Sequence, residues 1–216
     1  MTLLTRLLLT CLGLILYCSL SLRAALPASD AFTGSGALSA SWTQQRTTPA
    51  LVRDTGVVKG DTGSTYIAAF WNADSFSANH CSQVTFIAGS VGSAFIGPSV
   101  RAQQTGDANW DAYTFITDGT TGAGHSAIEE IANGTQVGST GLTMTATNGD
   151  LLKLCAEGTT ITAYKNGSSV GSISDATLTA GSAGVASYSN AASADDWVGT
   201  DIPAAGGGLL LLGVGR

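Results

Sequence analysis

Asparagine–glycine pairs constrain the fold of this chain more than any other feature of its sequence. Asn166-Gly167 lies inside the segment 150–187, where short alternating runs of apolar and polar residues are separated by glycines. Asn-Gly accepts positive φ at both central positions of a tight turn, which makes it a strong β-hairpin signal. We therefore predict a β-meander over 150–187. A second pair, Asn133-Gly134, favours a hairpin over the helical turn that 126–132 resembles.

The rest of the chain repeats this strand-and-turn pattern. About a dozen short strands are separated by turn signals every 8 to 12 residues or so, with no long segment of helical period, which is typical of a sandwich or barrel. We predict an all-β fold with two antiparallel sheets. Phe32, Leu38 and Trp42 are expected to anchor the core. Pro98 cannot donate to a strand ladder, so its strand is expected at an edge or a bulge.

Both ends of the chain differ from this strand-rich region, which we place at 30–202. Residues 1–25 combine one early cation with an apolar run and small residues, which predicts a signal peptide. A cut as late as Ala28 and an uncleaved membrane anchor are the alternatives. Residues 203–216 are rich in Gly and Leu and are expected to form a flexible tail. An attachment role is the alternative, although the apolar part 209–215 is too short to span a bilayer.

Two cysteines, Cys81 and Cys155, remain after signal cleavage. Each alternates with apolar neighbours on its strand, so both are expected to point away from the core. An even pair in an exported chain indicates either one disulfide between neighbouring strands or two free thiols.

The charge distribution disfavours some partners. The chain has a net charge of -6, and its nine Lys and Arg are scattered singly. Nucleic-acid or anionic membrane binding requires clustered cations, so we expect neither. The signal sequence indicates a secreted protein, extracellular or periplasmic, without a stable membrane span after cleavage.

Four groups of motifs are spread along 30–202. They are Asp30-Ala-Phe32 with Gly36-Ala-Leu38 and Trp42, Ser82-Gln-Val-Thr-Phe86 with Gly97-Pro-Ser-Val-Arg101, Asp150-Leu-Leu-Lys-Leu154 with Gly158, Ile161-Thr-Ala-Tyr164 and Asn166-Gly167, and Gly181 to Gly184 with Asp196-Trp197. Together they resemble the motifs of the concanavalin A-like lectin/glucanase domains of the laminin-G-like kind. The resemblance implies a jelly roll that binds carbohydrate or another extracellular surface partner. Some laminin-G-like domains hold calcium at a loop rim, so calcium is the cofactor that the resemblance allows.

Catalytic members of that superfamily carry closely spaced acids in a Glu-x-Asp-x-x-Glu pattern, which this chain lacks. Glu129 and Glu130 are adjacent on a predicted strand, so they point to opposite faces and cannot act as a catalytic pair. We expect both to be solvated. The prediction is a protein without enzymatic activity. A structural or adhesive protein is the first alternative, and a divergent glycoside hydrolase is a weaker one.

Aromatic and polar residues occur together at two strand ends and are the candidate ligand contacts. Sugars stack on aromatic rings while amide and carboxyl groups bond their hydroxyls. The candidates are Trp71, Asn72, Asp74, Asn109, Trp110 and Asp111. The alternative is that both tryptophans pack into the core.

Asp195 and Asp196 are candidate calcium ligands, with turn formation as the alternative. We expect no other cofactor. Because the 150–187 meander carries few acids, any site is expected on loops elsewhere.

Overall fold

The computed structural model describes residues 26–203 except 64, 90, 91 and 123. The predicted signal peptide and almost all of the predicted tail lie outside the described residues. Two antiparallel β-sheets account for the regular structure. The two-sheet sandwich predicted from the alternation of apolar residues is therefore confirmed. No helix long and apolar enough to cross a membrane is found among the described residues.

The larger sheet has nine strands. In spatial order they are β14 (Ser168–Ser174), β13 (Thr160–Lys165), β12 (Leu151–Glu157), β7 (His80–Ala88), β16 (Ser193–Asp201), β5 (Val57–Gly60), β4 (Leu51–Asp54) and β2 (Gly36–Ala37), with β1 (Ala28–Asp30) also paired to β16.

The smaller sheet has seven strands. Their order is β11 (Thr135–Gly141), β10 (Ser126–Ala132), β9 (Asp111–Thr117), β8 (Phe95–Gln103), β15 (Ser182–Tyr188), β6 (Tyr66–Trp71) and β3 (Trp42–Gln44). The predicted meander forms β12, β13 and β14 in the larger sheet, and the chain then crosses over to form β15 in the smaller one.

Both Asn-Gly turns form as predicted. Asn133 and Gly134 have φ of 52° and 70°, and they connect β10 to β11. Asn166 and Gly167 have φ of 49° and 81°, and they connect β13 to β14. Two successive residues of positive φ match the right-handed twist of the flanking strands, which is why these turns close tight hairpins.

The core lies between the sheets and collects the alternate residues of both. Phe32 and Trp42 are buried in it, and Leu38 packs against it, as predicted. Val84 and Leu154 from neighbouring strands face the same core. Such period-two burial is what a strand with one covered face requires.

The disulfide between Cys81 and Cys155 confirms the paired alternative. The two residues lie directly opposite each other on β7 and β12, with Cα atoms 4.0 Å apart. Neither belongs to the core cluster between the sheets, which agrees with their predicted outward direction.

Of the two alternatives predicted for Pro98, an edge strand or a bulge, the edge strand is wrong. β8 is the fourth of seven strands, between β15 and β9. Pro98 pairs with Val185 of β15, whereas the pairing with β9 passes from Ile96 directly to Ser99. The missing N–H is thus accommodated by an interruption of the ladder on the β9 side. The strand does contain an irregularity, but it lies between Val100 and Gln103.

Arg101, at that irregularity, ties three loops to β8. It has a φ of 51° and a side chain that is almost fully buried. Its guanidinium donates to the carbonyl oxygens of Ala78, Gly158 and Leu178. Because a buried guanidinium needs all its donors satisfied, these carbonyls fix the loops at this end of the sandwich.

Candidate functional site

The face of the seven-stranded sheet that points away from the other sheet carries a second apolar cluster. We call this face the outer face. Its buried members come from alternate positions of β6, β8, β9, β10 and β15 or from the residue just before β9: Ala68, Ala102, Trp110, Ala112, Ile116, Ile131 and Ala186. Intervening residues such as Ile67 and Phe115 belong to the intersheet core. The outer face is thus more apolar than a face fully exposed to water, which indicates that something covers part of it.

Loops cover one end of the outer face. Gln45 is fully buried there, and its amide nitrogen donates to the carbonyl oxygens of Gln103 and Asp111 at 3.0 and 3.1 Å. The backbone N–H of Gly106 donates to the carbonyl of Gln45 at 2.9 Å. Trp110 is fully buried in the same region. We call this the covered end.

The opposite end of the outer face presents three aromatic rings on adjacent strands. Tyr188 of β15 is directly opposite Tyr66 of β6 on one side and Phe95 of β8 on the other. The ring centroids are 5.1 Å apart for Tyr66 and Tyr188, and 6.4 Å apart for Phe95 and Tyr188. All three rings are half-buried, so they remain available at the surface. We call these three residues the aromatic row.

A cavity of about 550 Å³ lies against the aromatic row. Its remaining lining residues come from β9, β10, β11 and the loop that precedes β10: Ile116, Gly124, Ser126, Ala127, Glu129, Gln136, Ser139 and Gly141. Its volume is within the range of small-ligand sites, and rings beside a few polar groups are their usual lining. The expectation that a site must lie on loops is therefore not met by this cavity, which is formed mainly by strands.

Glu129 is the ionisable carboxyl among these lining residues. The prediction that it is solvated is wrong, because the residue is only 6% exposed. Its Oε1 accepts hydrogen bonds from the Tyr66 hydroxyl at 3.1 Å and from Gln136 Nε2 at 2.9 Å. Glu130, its neighbour in sequence, points to the opposite face as predicted and is partly buried near Ile173 and Asp175.

Burial raises the pKa of Glu129 to about 7, and the Tyr66 hydroxyl partly opposes this shift. The Thr114 hydroxyl lies close enough to oppose it as well, although the two side chains make no well-formed hydrogen bond. Burial also raises the pKa of Tyr66 above its ordinary value, and the charge of Glu129 adds to that effect. The carboxyl is thus poised to change charge near neutral pH.

Buried polar atoms without a partner follow one cross-strand row of this face. Ser99, Thr114 and Glu129 are direct neighbours on β8, β9 and β10. Ser99 Oγ, Thr114 Oγ1 and Glu129 Oε2 make no hydrogen bond within the described residues. The other two such atoms, Gln45 Oε1 and Trp110 Nε1, lie at the covered end. Buried polar groups normally find partners, so this concentration distinguishes the outer face from the rest of the described chain.

The structure places Trp71, Asn72 and Asp74 at the end of β6. Trp71 packs against Trp42 and Trp197 on the core side of the sheet, and its indole N–H donates to Asp74 at 2.8 Å. Asn72 donates to the Thr43 hydroxyl. The polar groups of this predicted ligand set therefore bond within the protein.

Asn109, Trp110 and Asp111 lie at the covered end of the outer face. The Asp111 carboxyl accepts the backbone N–H of Asn133 and the side-chain amide of Gln104. Trp71 and Trp110 belong to clusters on opposite faces of the sheet, so the structure does not bring the two predicted ligand sets together. A role for either set in ligand binding stays a prediction.

Asp195 and Asp196 lie on β16 at a register irregularity. Asp195 Oδ1 accepts the backbone N–H of Asp196, and burial raises the pKa of Asp195, with the charges of Asp196 and Asp30 adding to the shift. No group of three or more His, Cys, Asp or Glu suited to a metal ion occurs in the described part of the chain. A calcium site at this pair stays a prediction.

The sequence pattern favours tryptophans at strand ends as ligand contacts and does not single out the residues of the aromatic row. A signal was present in the alternation: Tyr66 precedes Ile67 and Phe95 precedes Ile96, and both isoleucines face the core. By period two, each preceding aromatic must point to the opposite face. What the alternation does not indicate is that these rings lie beside one another.

Comparisons with known proteins identify the fold. No protein-family model and no curated protein sequence matches the chain. Among solved structures, a β-glucanase of Bacillus licheniformis superposes with a TM-score of 0.55 at 11% identity, covering 84% of this chain and 100% of that one.

Two sugar-binding proteins superpose similarly. The carbohydrate-binding module CBM66 of Bacillus subtilis gives a TM-score of 0.51 at 13% identity, covering 72% of this chain and 91% of that one. The exoplasmic/lumenal domain of VIP36, in a form bound to Ca²⁺ and Man3GlcNAc, gives 0.53 at 13% identity, covering 81% and 87%. The concanavalin A-like jelly roll expected from the sequence is confirmed.

Proposed function

We propose that this protein binds carbohydrate in the cavity at the aromatic row of the outer face. The observation that carries the proposal is the row itself: Tyr66, Tyr188 and Phe95 lie half-buried on three adjacent strands beside polar groups. Aromatic rings pack against the apolar faces of sugar rings, while nearby amides and hydroxyls bond their hydroxyl groups. Gln136 and Ser139, both exposed on β11, supply such groups.

The structural neighbours support this class of ligand. A carbohydrate-binding module and a domain bound to a mannose-containing glycan share the fold. Fold alone does not assign function, so the proposal rests on the cavity, and the structural neighbours serve as additional support.

We propose binding rather than hydrolysis. Glycoside hydrolysis generally uses two carboxyls that flank the scissile bond. Among the described residues that line the cavity, Glu129 alone carries a carboxyl. Hydrolysis is the second candidate because a buried glutamate with a pKa of about 7 is suited to donate a proton at neutral pH. Release of reducing ends from β-glucan by the protein, abolished by Glu129→Gln, would favour it.

We further propose that the protein acts outside the cytoplasm, as a secreted extracellular or periplasmic protein. The apolar N-terminal segment and the Cys81–Cys155 disulfide are both typical of exported proteins. Cleavage after Ala25 would leave β1 complete, whereas cleavage after Ala28 would remove its first residue. Mass spectrometry of the exported protein measures the cleavage site directly.

A glycan array tests the binding proposal. The full exported chain is applied once with calcium and once with a chelator in place of calcium. We expect binding to a subset of glycans, and a loss of about tenfold or more in affinity for Tyr188→Ala because ring stacking is removed. Tyr164→Ala is the matched control, since Tyr164 lies on β13 of the other sheet. Absence of binding to any glycan would overturn the proposal, and equal binding by Tyr188→Ala would place the site elsewhere.

A further inference from the structure

Glu129 is unusual among the buried carboxyls of the described chain. Asp118, the other acidic residue that is less than a tenth exposed, contacts His125 at 2.7 Å and accepts the backbone N–H groups of Gly92 and Thr120. Glu129 contacts neither a cation nor a backbone N–H in the described residues, and its hydrogen-bond partners are a phenol and an amide. A buried carboxylate is costly without a positive partner, so this one has unmet capacity for a cation.

Tyr66 and Gln136 donate the two hydrogen bonds to Glu129, and their positions show where such a cation would bind. Tyr66 belongs to the packed aromatic row, whereas Gln136 is exposed on β11, the edge strand of the sheet. Rotation of the Gln136 side chain would free the position that its Nε2 occupies, 2.9 Å from Glu129 Oε1. A ligand ammonium, with its several N–H donors, can take that position and form a charge-assisted hydrogen bond.

The aromatic row adds a second attraction for a positive group. A cation over the face of a tyrosine or phenylalanine ring is attracted by the ring quadrupole. Tyr66, Tyr188 and Phe95 line the same cavity as Glu129. No Lys, Arg or His is among the described lining residues, so the cavity provides no counter-charge for an acidic sugar.

We infer that the saccharide bound at the aromatic row carries a protonated amine, which pairs with the Glu129 carboxylate beside the rings. This inference rests on the proposed function and narrows its substrate class to amino sugars whose nitrogen is not acetylated. Uronic and sulfated saccharides are excluded because their charge would face a carboxylate and two phenols.

Such binding depends on pH through Glu129. The groups that face its carboxyl are Tyr66 of β6, Thr114 of β9 and Gln136 of β11, while Glu130 points away. His125, in the loop before β10, is held by Asp118. A bound cation favours the ionised carboxyl. Affinity for a permanently charged ligand therefore falls as pH decreases below about 7, by up to tenfold per unit.

Titration calorimetry at neutral pH with three tetrasaccharides tests the inference. They are β-1,4-linked tetramers of glucosamine, of N-acetylglucosamine and of glucose. We expect the glucosamine tetramer to bind about tenfold tighter than the other two, the size of one partly desolvated charge interaction. Equal or tighter binding of either neutral tetramer overturns the inference and leaves the proposed function in place. Absence of binding by every saccharide tested, here and on the array, overturns both.

The variant Glu129→Gln separates charge from shape, since it keeps an acceptor for Tyr66 but removes the negative charge. We expect its affinity for the glucosamine tetramer to fall about tenfold, and its affinity for neutral saccharides to fall by a smaller factor. Glu130→Gln is the matched control, because it removes an adjacent carboxyl from the other face. An equal loss for charged and neutral tetramers in Glu129→Gln would contradict the inference and indicate a purely structural role.

Discussion

Two groups of aromatic side chains in this molecule have contrasting surroundings. In the core, Trp42, Trp71 and Trp197 lie within 4.7 to 5.4 Å of one another and bridge the two sheets. On the outer face, Tyr66, Tyr188 and Phe95 form a row along one sheet. Both groups are assembled from separate strands, and the second lines the cavity described above.

The two groups also differ in how their polar atoms are hydrogen-bonded. Each core indole N–H has a partner within the protein: Asp30 for Trp42, Asp74 for Trp71 and Ser82 for Trp197. Trp42 and Trp197 are buried and Trp71 is half-buried, and none of the three indole N–H groups is left free to bond a ligand. In the aromatic row, the Tyr66 hydroxyl bonds Glu129, a carboxyl with unmet capacity. The presence of a tryptophan at a strand end is therefore a weaker indication of a sugar site than a polar atom that lacks a partner within the protein.

The largest expected difference between the two groups is in stability. Trp197 is fully buried, so Trp197→Ala should lower the free energy of unfolding by about 3–5 kcal/mol. Tyr188 is half-buried, and Tyr188→Ala should cost about 1–2 kcal/mol. Urea denaturation of the two variants measures both values. A larger loss for Tyr188→Ala than for Trp197→Ala would break the comparison.

Removal of the disulfide should change the free energy of unfolding without changing saccharide affinity. Replacing both Cys81 and Cys155 by Ser opens a link across 74 residues, and the loop-closure entropy predicts a loss of about 4 kcal/mol. The disulfide lies on the nine-stranded sheet, so saccharide affinity of the folded variant should be unchanged. Denaturation and calorimetry on the same sample measure both quantities. A loss of affinity while the variant is fully folded would show that the two sheets are coupled.

The charge of Glu129 should be visible in the pH dependence of stability. Its pKa is raised from 4.5 to about 7 in the folded protein, so the folded state retains a proton that the unfolded state has lost. The contribution of this residue to stability therefore declines as pH rises through that range. Glu129→Gln should be about as stable as wild type near pH 4 and more stable by about 3 kcal/mol near pH 8.

Thermal or urea unfolding across this pH range provides the measurement, with Glu130→Gln as the control. A stability difference between Glu129→Gln and wild type that does not vary with pH would mean that the carboxyl is not desolvated.

Tyr66→Phe should have the smallest effect. It removes one donor to Glu129 but keeps the ring, so we expect a stability loss of about 1 kcal/mol and little change in saccharide affinity. Because the Tyr66 hydroxyl lowers the pKa of Glu129, its removal should move that pKa upward. NMR titration of the Glu129 side chain measures this. A downward shift would contradict the arrangement of the two groups.

Much of the fold follows from local features of the sequence. Alternation identified the core faces of Val84 and Leu154, and the same parity placed Cys81 and Cys155 outside the core. Asn133-Gly134 and Asn166-Gly167 marked their hairpins because few other residues accept positive φ twice in succession. These features depend on neighbouring residues, which is why the sequence alone predicts them.

The site depends on contacts that are distant in sequence and could not be predicted in the same way. Alternation shows that Tyr66 and Ile67 point to opposite faces, but it does not show which strands lie beside β6. Nor does it show which end of the outer face the loops around Gln45 and Trp110 cover. The central place of β8 was missed for the same reason: Pro98 indicates a missing donor, and the sheet accommodates this by interrupting one ladder.

The central claim is that the aromatic row, and not the tryptophan-bearing strand ends, is where saccharide binds. NMR chemical-shift mapping during titration with a saccharide selected on the glycan array tests it most directly. We predict that the perturbed resonances belong to Tyr66, Phe95, Tyr188, Glu129 and Gln136, with those of Trp71–Asp74 and Asn109–Asp111 unchanged. Perturbations confined to these two tryptophan-bearing segments would contradict the account.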